Sequence, residues 1–299
     1  MEIAINTQEL NEGKLSDNSK LRERPWISFV LPTYRPGGMD LLAISEVWKA
    51  PGYELVVVDG YPGRVERCKA LQYLLDRGIN VGWYGPPKPK CYPETPVNFA
   101  NAMNTGILHS RGHYIVFVHD FMTIPSNALK VWMESFSDNG RKAIISGMAY
   151  VYNFDPPEIE DDITVWKACE DPRTRLISRT LDWIPQKWEI FYCGFHVSYF
   201  DEVNGFDERG DGCISWPLES VVAQSNMHDY RLVVDRRLEI YMCNHRKWEG
   251  EEHLWNTGSL GILEPDKRDE LEPGWLRRSP NPFDFRKEHL KYLEERGCL

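Results

Sequence analysis

Short apolar runs alternate with longer stretches of helical period through the first half of this chain. The runs lie at 27–31 (ISFVL), 54–58 (ELVVV), 79–83 (INVGW), 114–118 (YIVFV) and 143–148 (AIISGM). Near-continuous apolar character over so few residues is what a strand buried on both faces requires. Between them, segments near 39–49, 64–77, 97–110 and 126–136 read as helices. The second shows how such a segment closes: Leu71, Leu74 and Leu75 form an apolar face, and Gly78 stops it. Strands alternating with helices predict an α/β fold, with a mostly parallel central sheet flanked by helices and right-handed crossovers.

The regularity ends after Tyr150. Residues 153–189 are rich in Pro, Asp and Trp and show no period. A long insertion of this kind predicts loops that shape a substrate site. An ordered block follows over 190–245, with strand-like runs at 231–235 (RLVVD) and 238–242 (LEIYM). The remainder carries Trp248, Trp255 and Trp275 and ends in a helix-like segment, 284–296. These changes divide the chain into a polar, flexible extension (1–24), one domain (25–245) and a C-terminal extension packed on it (246–299). The domain itself falls into halves at 25–150 and 151–245.

Two of the apolar runs end abruptly in acid. ELVVVDG terminates in Asp59, and YIVFVHD in His119 and Asp120. Open α/β sheets bind ligands beyond the carboxyl ends of their strands, so acids delivered there predict a ligand site. A lone acid after a strand is commonly a turn residue or helix cap; the repetition of the arrangement favours a site.

Composition narrows the class. Of 299 residues, 42% are hydrophobic and 27% charged, the balance of an ordinary globular protein. A formal net charge of −10 disfavours a broad nucleic-acid groove, which needs clustered cations. The 7 cysteines include no CxxC pair, which argues against a zinc knuckle or a dithiol redox centre. Neither an apolar leader nor a membrane-length run is present, and together these features predict a cytoplasmic protein.

Taken in order, the motifs resemble the inverting glycosyltransferases of family 2, whose GT-A fold binds nucleotide-diphosphate sugars. WISFVLPTYRPGGMDLL is similar to that family's first strand and turn, which implies that Pro32, Thr33 and Tyr34 line the nucleoside pocket. VVVDGYPGR resembles its second strand, implying that Asp59 contacts the base. PVNFANAMNTGILHSRGHYIVFVHD resembles the stretch running from Ala-Arg-Asn-x-Gly to the metal-binding acid, with Asn104, His119 and Asp120 in the matching places. CGFHVSYFDEVNGFDE is similar to the acceptor-side segment. SWPLE (215–219) resembles the Trp-Gly-x-Glu-Asp element of galactosyltransferase-like members.

The resemblance implies a metal-assisted transfer of a sugar, from a UDP-linked donor, to a carbohydrate or other hydroxyl acceptor. A divalent cation at the sheet rim, Mn²⁺ or Mg²⁺, offsets the charge on the departing diphosphate. Its implied ligands are Asp120, His119 and, after the last strand, His245; imidazole suits Mn²⁺ better than Mg²⁺. Glu219 is the implied general base, deprotonating the acceptor hydroxyl. Three departures stand out. His119-Asp120-Phe121 replaces Asp-x-Asp, Met103 replaces the Arg before Asn104, and Ser220 follows Glu219 in place of an Asp. The lost Arg contact has Arg64, Arg67 and Lys90 as substitutes. Asp207 and Glu208 compete weakly with Glu219 and fit better as residues orienting the turn after Phe206. Asn101 and Asn104 fit equally well as satisfiers of backbone groups.

Two other functions remain open. One is a nucleotide-sugar-binding scaffold of the same fold that has lost catalysis with its second acid. The other, a nucleotidyltransferase, ranks behind it, because the turn PTYRPGGMD has only one Arg and two glycines where a phosphate loop would stand. A nucleic-acid acceptor is disfavoured by the acidic balance.

Overall fold

β1 (Ile27–Thr33) and β2 (Tyr53–Asp59) are buried along their whole length, which is why each is mostly apolar, with Ser28 and Glu54 the polar residues near their starts. The computed structural model describes residues 25–33, 40–43, 45–49, 52–60, 65–84, 99–120, 122–152, 176–179, 192–206, 208, 225, 228–243, 287, 291 and 294. Further strands are β3 (Val81–Tyr84), β4 (Tyr114–Phe117), β5 (Met122–Thr123), β6 (Ala143–Tyr152), β7 (Leu176–Arg179), β8 (Cys193–His196) and β9 (Arg231–Cys243). The helices are α1 (Asp40–Ala43), α2 (Val65–Asp76), α3 (Phe99–His109), α4 (Ala128–Asn139) and α5 (Ser198–Val203).

One sheet runs in the order β3-β2-β1-β4-β8-β6-β9-β5, with β7 attached to β6. Pairing is parallel from β3 to β4 and again between β6 and β9. It is antiparallel where β8, β7 and β5 join. Parallel pairing, as expected, holds among β3, β2, β1 and β4 and between β6 and β9, while β5, β7 and β8 join antiparallel, so the sheet as a whole is mixed. No helix among the described residues is long and apolar enough to cross a membrane.

Side-chain alternation along the strands divides the core in two. Phe29, Leu31, Leu55, Val57 and Val116 pack with Leu71 and Leu74 of α2 and Trp132 and Phe136 of α4. Val30, Val56, Ile115 and Phe117 face Met103 and Ile107 of α3 and Phe200 and Val203 of α5. Each such side chain contributes roughly 1.5–3 kcal/mol on burial, so the two faces hold the sheet between layers of helix. Glycines let the bulkiest rings approach: a Cβ at Gly194 would strike Trp132 and Phe136, and one at Gly147 would strike Tyr192.

Three local expectations change. The helix anticipated over 39–49 breaks into α1 and a 3₁₀ turn, Glu46–Lys49. The Leu42 carbonyl that would continue it accepts instead from Ser45 N–H at 3.1 Å and from the Trp48 indole at 2.6 Å. Within the stretch read as irregular, 176–179 form β7 against β6.

The two runs at 231–235 and 238–242 are one strand. Val234 pairs with Ser146 and Glu239 with Met148, so the residues between them bulge out of the ladder while Leu238 stays buried. Arg237 fastens the bulge, with its Nη2 2.7 Å from Asp235 Oδ2 and 3.2 Å from Asp138 Oδ2. Burial pushes the Asp235 carboxyl up, but the hydrogen bonds from Arg237 outweigh that and hold it below its ordinary value. A carboxyl lowered by folding stabilises the fold above its unfolded pKa of about 3.9, and the contribution is lost as pH falls from there through the folded value. Arg237→Leu is expected to flatten that acid limb of the stability curve, read by urea denaturation at stepped pH. An unchanged limb would remove Asp235 as its source.

Candidate functional site

The crossovers carrying α1 and α2 lie on one face of the sheet, and α3 lies on the other. Strand order reverses between β1 and β4, and their carboxyl ends form the switch point at which such sheets bind ligands. Thr33 is the last residue of β1. Its hydroxyl donates to Asp120 Oδ2 at 2.7 Å, bridging the switch point.

Asp59 is the register partner of Thr33 on β2, so the two side chains stand next to one another on one face. The Trp83 indole of β3 donates to Asp59 Oδ2 at 3.2 Å. On the far side, His119 Nδ1 lies 3.0 Å from Asp120 Oδ1. Trp83, Asp59, Thr33, Asp120 and His119 thus form one continuous row across the carboxyl ends of β3, β2, β1 and β4, and all are buried. Two carboxylates in so dry a place are costly unless hydrogen-bonded, and they set up a negative potential that favours a cation. Imidazole and carboxylate together suit Mn²⁺. Among the described residues, no cluster of three His, Cys, Asp or Glu side chains is poised to hold a metal. Of the expected ligand set, His119 and Asp120 stand side by side at the rim, and His245 lies outside the described residues.

The sequence-derived candidates separate into three groups. Pro32, Thr33, Asp59, His119 and Asp120 come together at the rim. Asn104 does not join them: its amide is engaged by the Phe206 backbone and by the Glu208 carboxylate. Tyr34, Glu219 and His245 lie outside the described residues, as do Arg64, Lys90 and Asp207. Sequence reasoning missed Trp83, whose signal was an indole at the end of an apolar run, one strand beyond Asp59.

Tyr192 is wedged beside this rim. Its N–H donates to the Phe117 carbonyl at 2.6 Å, and its carbonyl accepts from Gly147 N–H at 3.0 Å, joining β4 to β6. The residue adopts φ 68°, uncommon for an aromatic side chain. Burial pushes its phenol well above the ordinary range.

No protein-family model matches the chain, and no curated protein matches it. Solved structures to which it is similar include S. aureus TarS 1–349, at 12% identity and a TM-score of 0.49, over 73% of this chain and 60% of that one. The same protein in complex with UDP gives 13% identity and a TM-score of 0.49, over 73% and 60%. Its complex with UDP-GlcNAc gives 13% and 0.47, over 73% and 58%. The chain thus spans less than two thirds of the length of these proteins.

Proposed function

We propose that the chain is an inverting glycosyltransferase that moves a hexosyl group from a nucleotide-diphosphate sugar to a hydroxyl acceptor. The observation that supports this most is the row from Asp59 through Thr33 and Asp120 to His119, built across the switch point in the order its sequence motifs imply. In this reading the donor is UDP-linked. Asp59 accepts an N–H from the base, and Pro32, Thr33 and Tyr34 line the nucleoside. Asp120 and His119, with His245, hold Mn²⁺ or Mg²⁺, which when bound offsets charge on the departing diphosphate. Thr33 fixes the Asp120 carboxylate, and Asp120 in turn fixes the ring of His119. Glu219 takes the proton of the acceptor hydroxyl on the opposite face of the sugar. The acceptor is a carbohydrate or another hydroxyl compound; the net charge of −10 weighs against nucleic acid.

Screening nucleotide sugars by thermal shift identifies the donor, because a ligand of the native state raises its melting point. Glu219→Gln is then expected to lower kcat by roughly 10²–10⁴-fold, the usual contribution of a general base, with UDP affinity preserved. Unchanged turnover would remove Glu219 from the role. A second reading, a nucleotide-sugar-binding scaffold, is favoured by one feature: a single acid stands where two are expected at residues 119–121. UDP binding with neither transfer nor donor hydrolysis would select it.

A further inference from the structure

Asn101, Asn104 and Glu208 form a buried knot that the functional reading does not use. Asn104 Oδ1 accepts from Phe206 N–H at 2.8 Å, and its Nδ2 donates to the Phe206 carbonyl at 2.9 Å and to Glu208 Oε1 at 2.9 Å. Asn101 Nδ2 donates to Glu208 Oε2 at 3.1 Å. Every member is buried, and the bonds join residues about a hundred positions apart in the chain.

Its place in the fold is informative. α3 returns from β3 to β4, so it runs against the strands. Its first turn packs on Val58, the neighbour of Asp59, and just past the helix Arg111 reaches Glu54 on the second position of β2. Asn101 and Asn104 therefore sit at the rim end of the sheet, on the face opposite α2. Glu208 arrives there because α5 ends in two left-handed residues, Asn204 (φ 62°) and Gly205 (φ 73°), which turn Phe206 into the core. Gly205 N–H closes that turn on the Phe200 carbonyl at 2.8 Å.

We infer that Asn101, Asn104 and Glu208 are positioning residues that lock the segment after α5, and so the start of the stretch leading to Glu219, to the nucleotide-binding half. The inference rests on the function proposed above. An amide that meets both the N–H and the C=O of Phe206 has only one orientation, so Asn104 fixes the turn in register as well as in place. Glu208 is committed to holding it and is not a rival general base. Asn101 is the freer member, since reversing its amide exchanges donor for acceptor without disturbing Phe206.

That asymmetry supplies the test. Glu208→Ala and Asn104→Asp are each expected to lower kcat by on the order of 10²-fold, the effect of a displacement of about 1 Å in a reacting group, with UDP affinity within about twofold of the parent. Glu208→Gln is expected to recover most of the loss, because the new side-chain amide still accepts from Asn104 and donates to a reversed Asn101. Should the first two fail to fold, Asn101→Ala removes the bond to Glu208 Oε2 while leaving Asn104 in place, and is expected to lower kcat by less, about tenfold. Hydrogen exchange at the Phe206 amide provides an independent readout: Asn104→Ala should accelerate it at least about tenfold while β1 amides stay protected. Unchanged exchange overturns the lock itself. Faster exchange with unaltered kcat overturns its positioning role. A parent protein that transfers no sugar refutes the proposed function, and the exchange experiment then still decides whether the lock exists.

Discussion

On the function proposed above, Asp120→Asn should lower sugar transfer about 10³-fold in kcat/KM, while leaving the melting point nearly unchanged. The magnitude follows from the charge. Stabilisation of a departing diphosphate by a held cation amounts to several kcal/mol, and each 1.36 kcal/mol is about tenfold in rate. The modest stability effect follows from the geometry. Asp120 accepts from Thr33 on one oxygen, and its other oxygen lies 3.0 Å from His119 Nδ1. An Asn carbonyl keeps one of these bonds, and the hydroxyl of Thr33 can turn to accept from the new amide. Shape is conserved and charge is lost, so the substitution isolates the electrostatic contribution. Thr33→Val makes the complementary measurement: it removes one hydrogen bond, worth about 1 kcal/mol, and predicts a loss of about tenfold or less. Mn²⁺ titration by calorimetry reads the same variants without turnover. If Asp120→Asn retained more than a tenth of parental kcat/KM, Asp120 would not be the cation-holding group.

The acids at the rim were legible because a strand buried on both faces leaves a plain signature: an apolar run of fixed length that stops at a polar residue. Asp59 and Asp120 both stand where such runs stop, one closing β2 and the other in the turn just beyond β4, and the intervening β1 ends at Thr33. The helices α2, α3 and α4 fall close to their expected positions, since long apolar periodicity marks an element well and its ends poorly. The lock at Glu208 was only half legible. Its Asn pair carried the signal of backbone satisfiers, but no local pattern tells that the backbone satisfied lies about a hundred residues away.

Other failures have the same origin. Residues 231–235 and 238–242 read as two separate runs, because Asp-Arg-Arg interrupts the apolar character between them. The structure absorbs it as a bulge, since β6 continues alongside and Arg237 neutralises Asp235. The helix expected over 39–49 is divided by a carbonyl captured by Trp48, a tertiary contact that no periodicity encodes. In both places long-range bonds override a local preference, which is where sequence patterns lose their force.

The same holds for a buried ion pair at the other end of the sheet, where Glu54→Ala is expected to cost the most stability of any single change considered, roughly 3–5 kcal/mol. Glu54 is wholly buried, on the second position of β2, and Arg111 lies just before β4. Glu54 Oε1 accepts from Ser28 Oγ at 2.6 Å and from the Arg111 backbone N–H at 2.6 Å, while Oε2 meets Arg111 Nε at 3.1 Å. Gly112 N–H closes the network on Ser28 Oγ at 2.8 Å. These bonds tie β1, β2 and the entry to β4 together at their amino ends. Truncating Glu54 removes the buried carboxylate facing the Arg111 guanidinium, and with it the acceptor from Ser28 and from a backbone amide. Ser28→Ala removes only a hydroxyl and should cost about 1 kcal/mol. Replacing both charges, as in Glu54→Leu with Arg111→Met, should be less destabilising than Glu54→Ala alone, because neither charge is left uncompensated. Urea denaturation of the parent and these variants makes the comparison. Because the pair lies at the end of the strands remote from Thr33 and Asp120, the folded fraction of Glu54→Ala should keep whatever UDP affinity the parent shows under the proposed function. A loss below about 1 kcal/mol in that variant would mean that water already reaches Glu54, and that the fold is joined at its amino ends by some other contact.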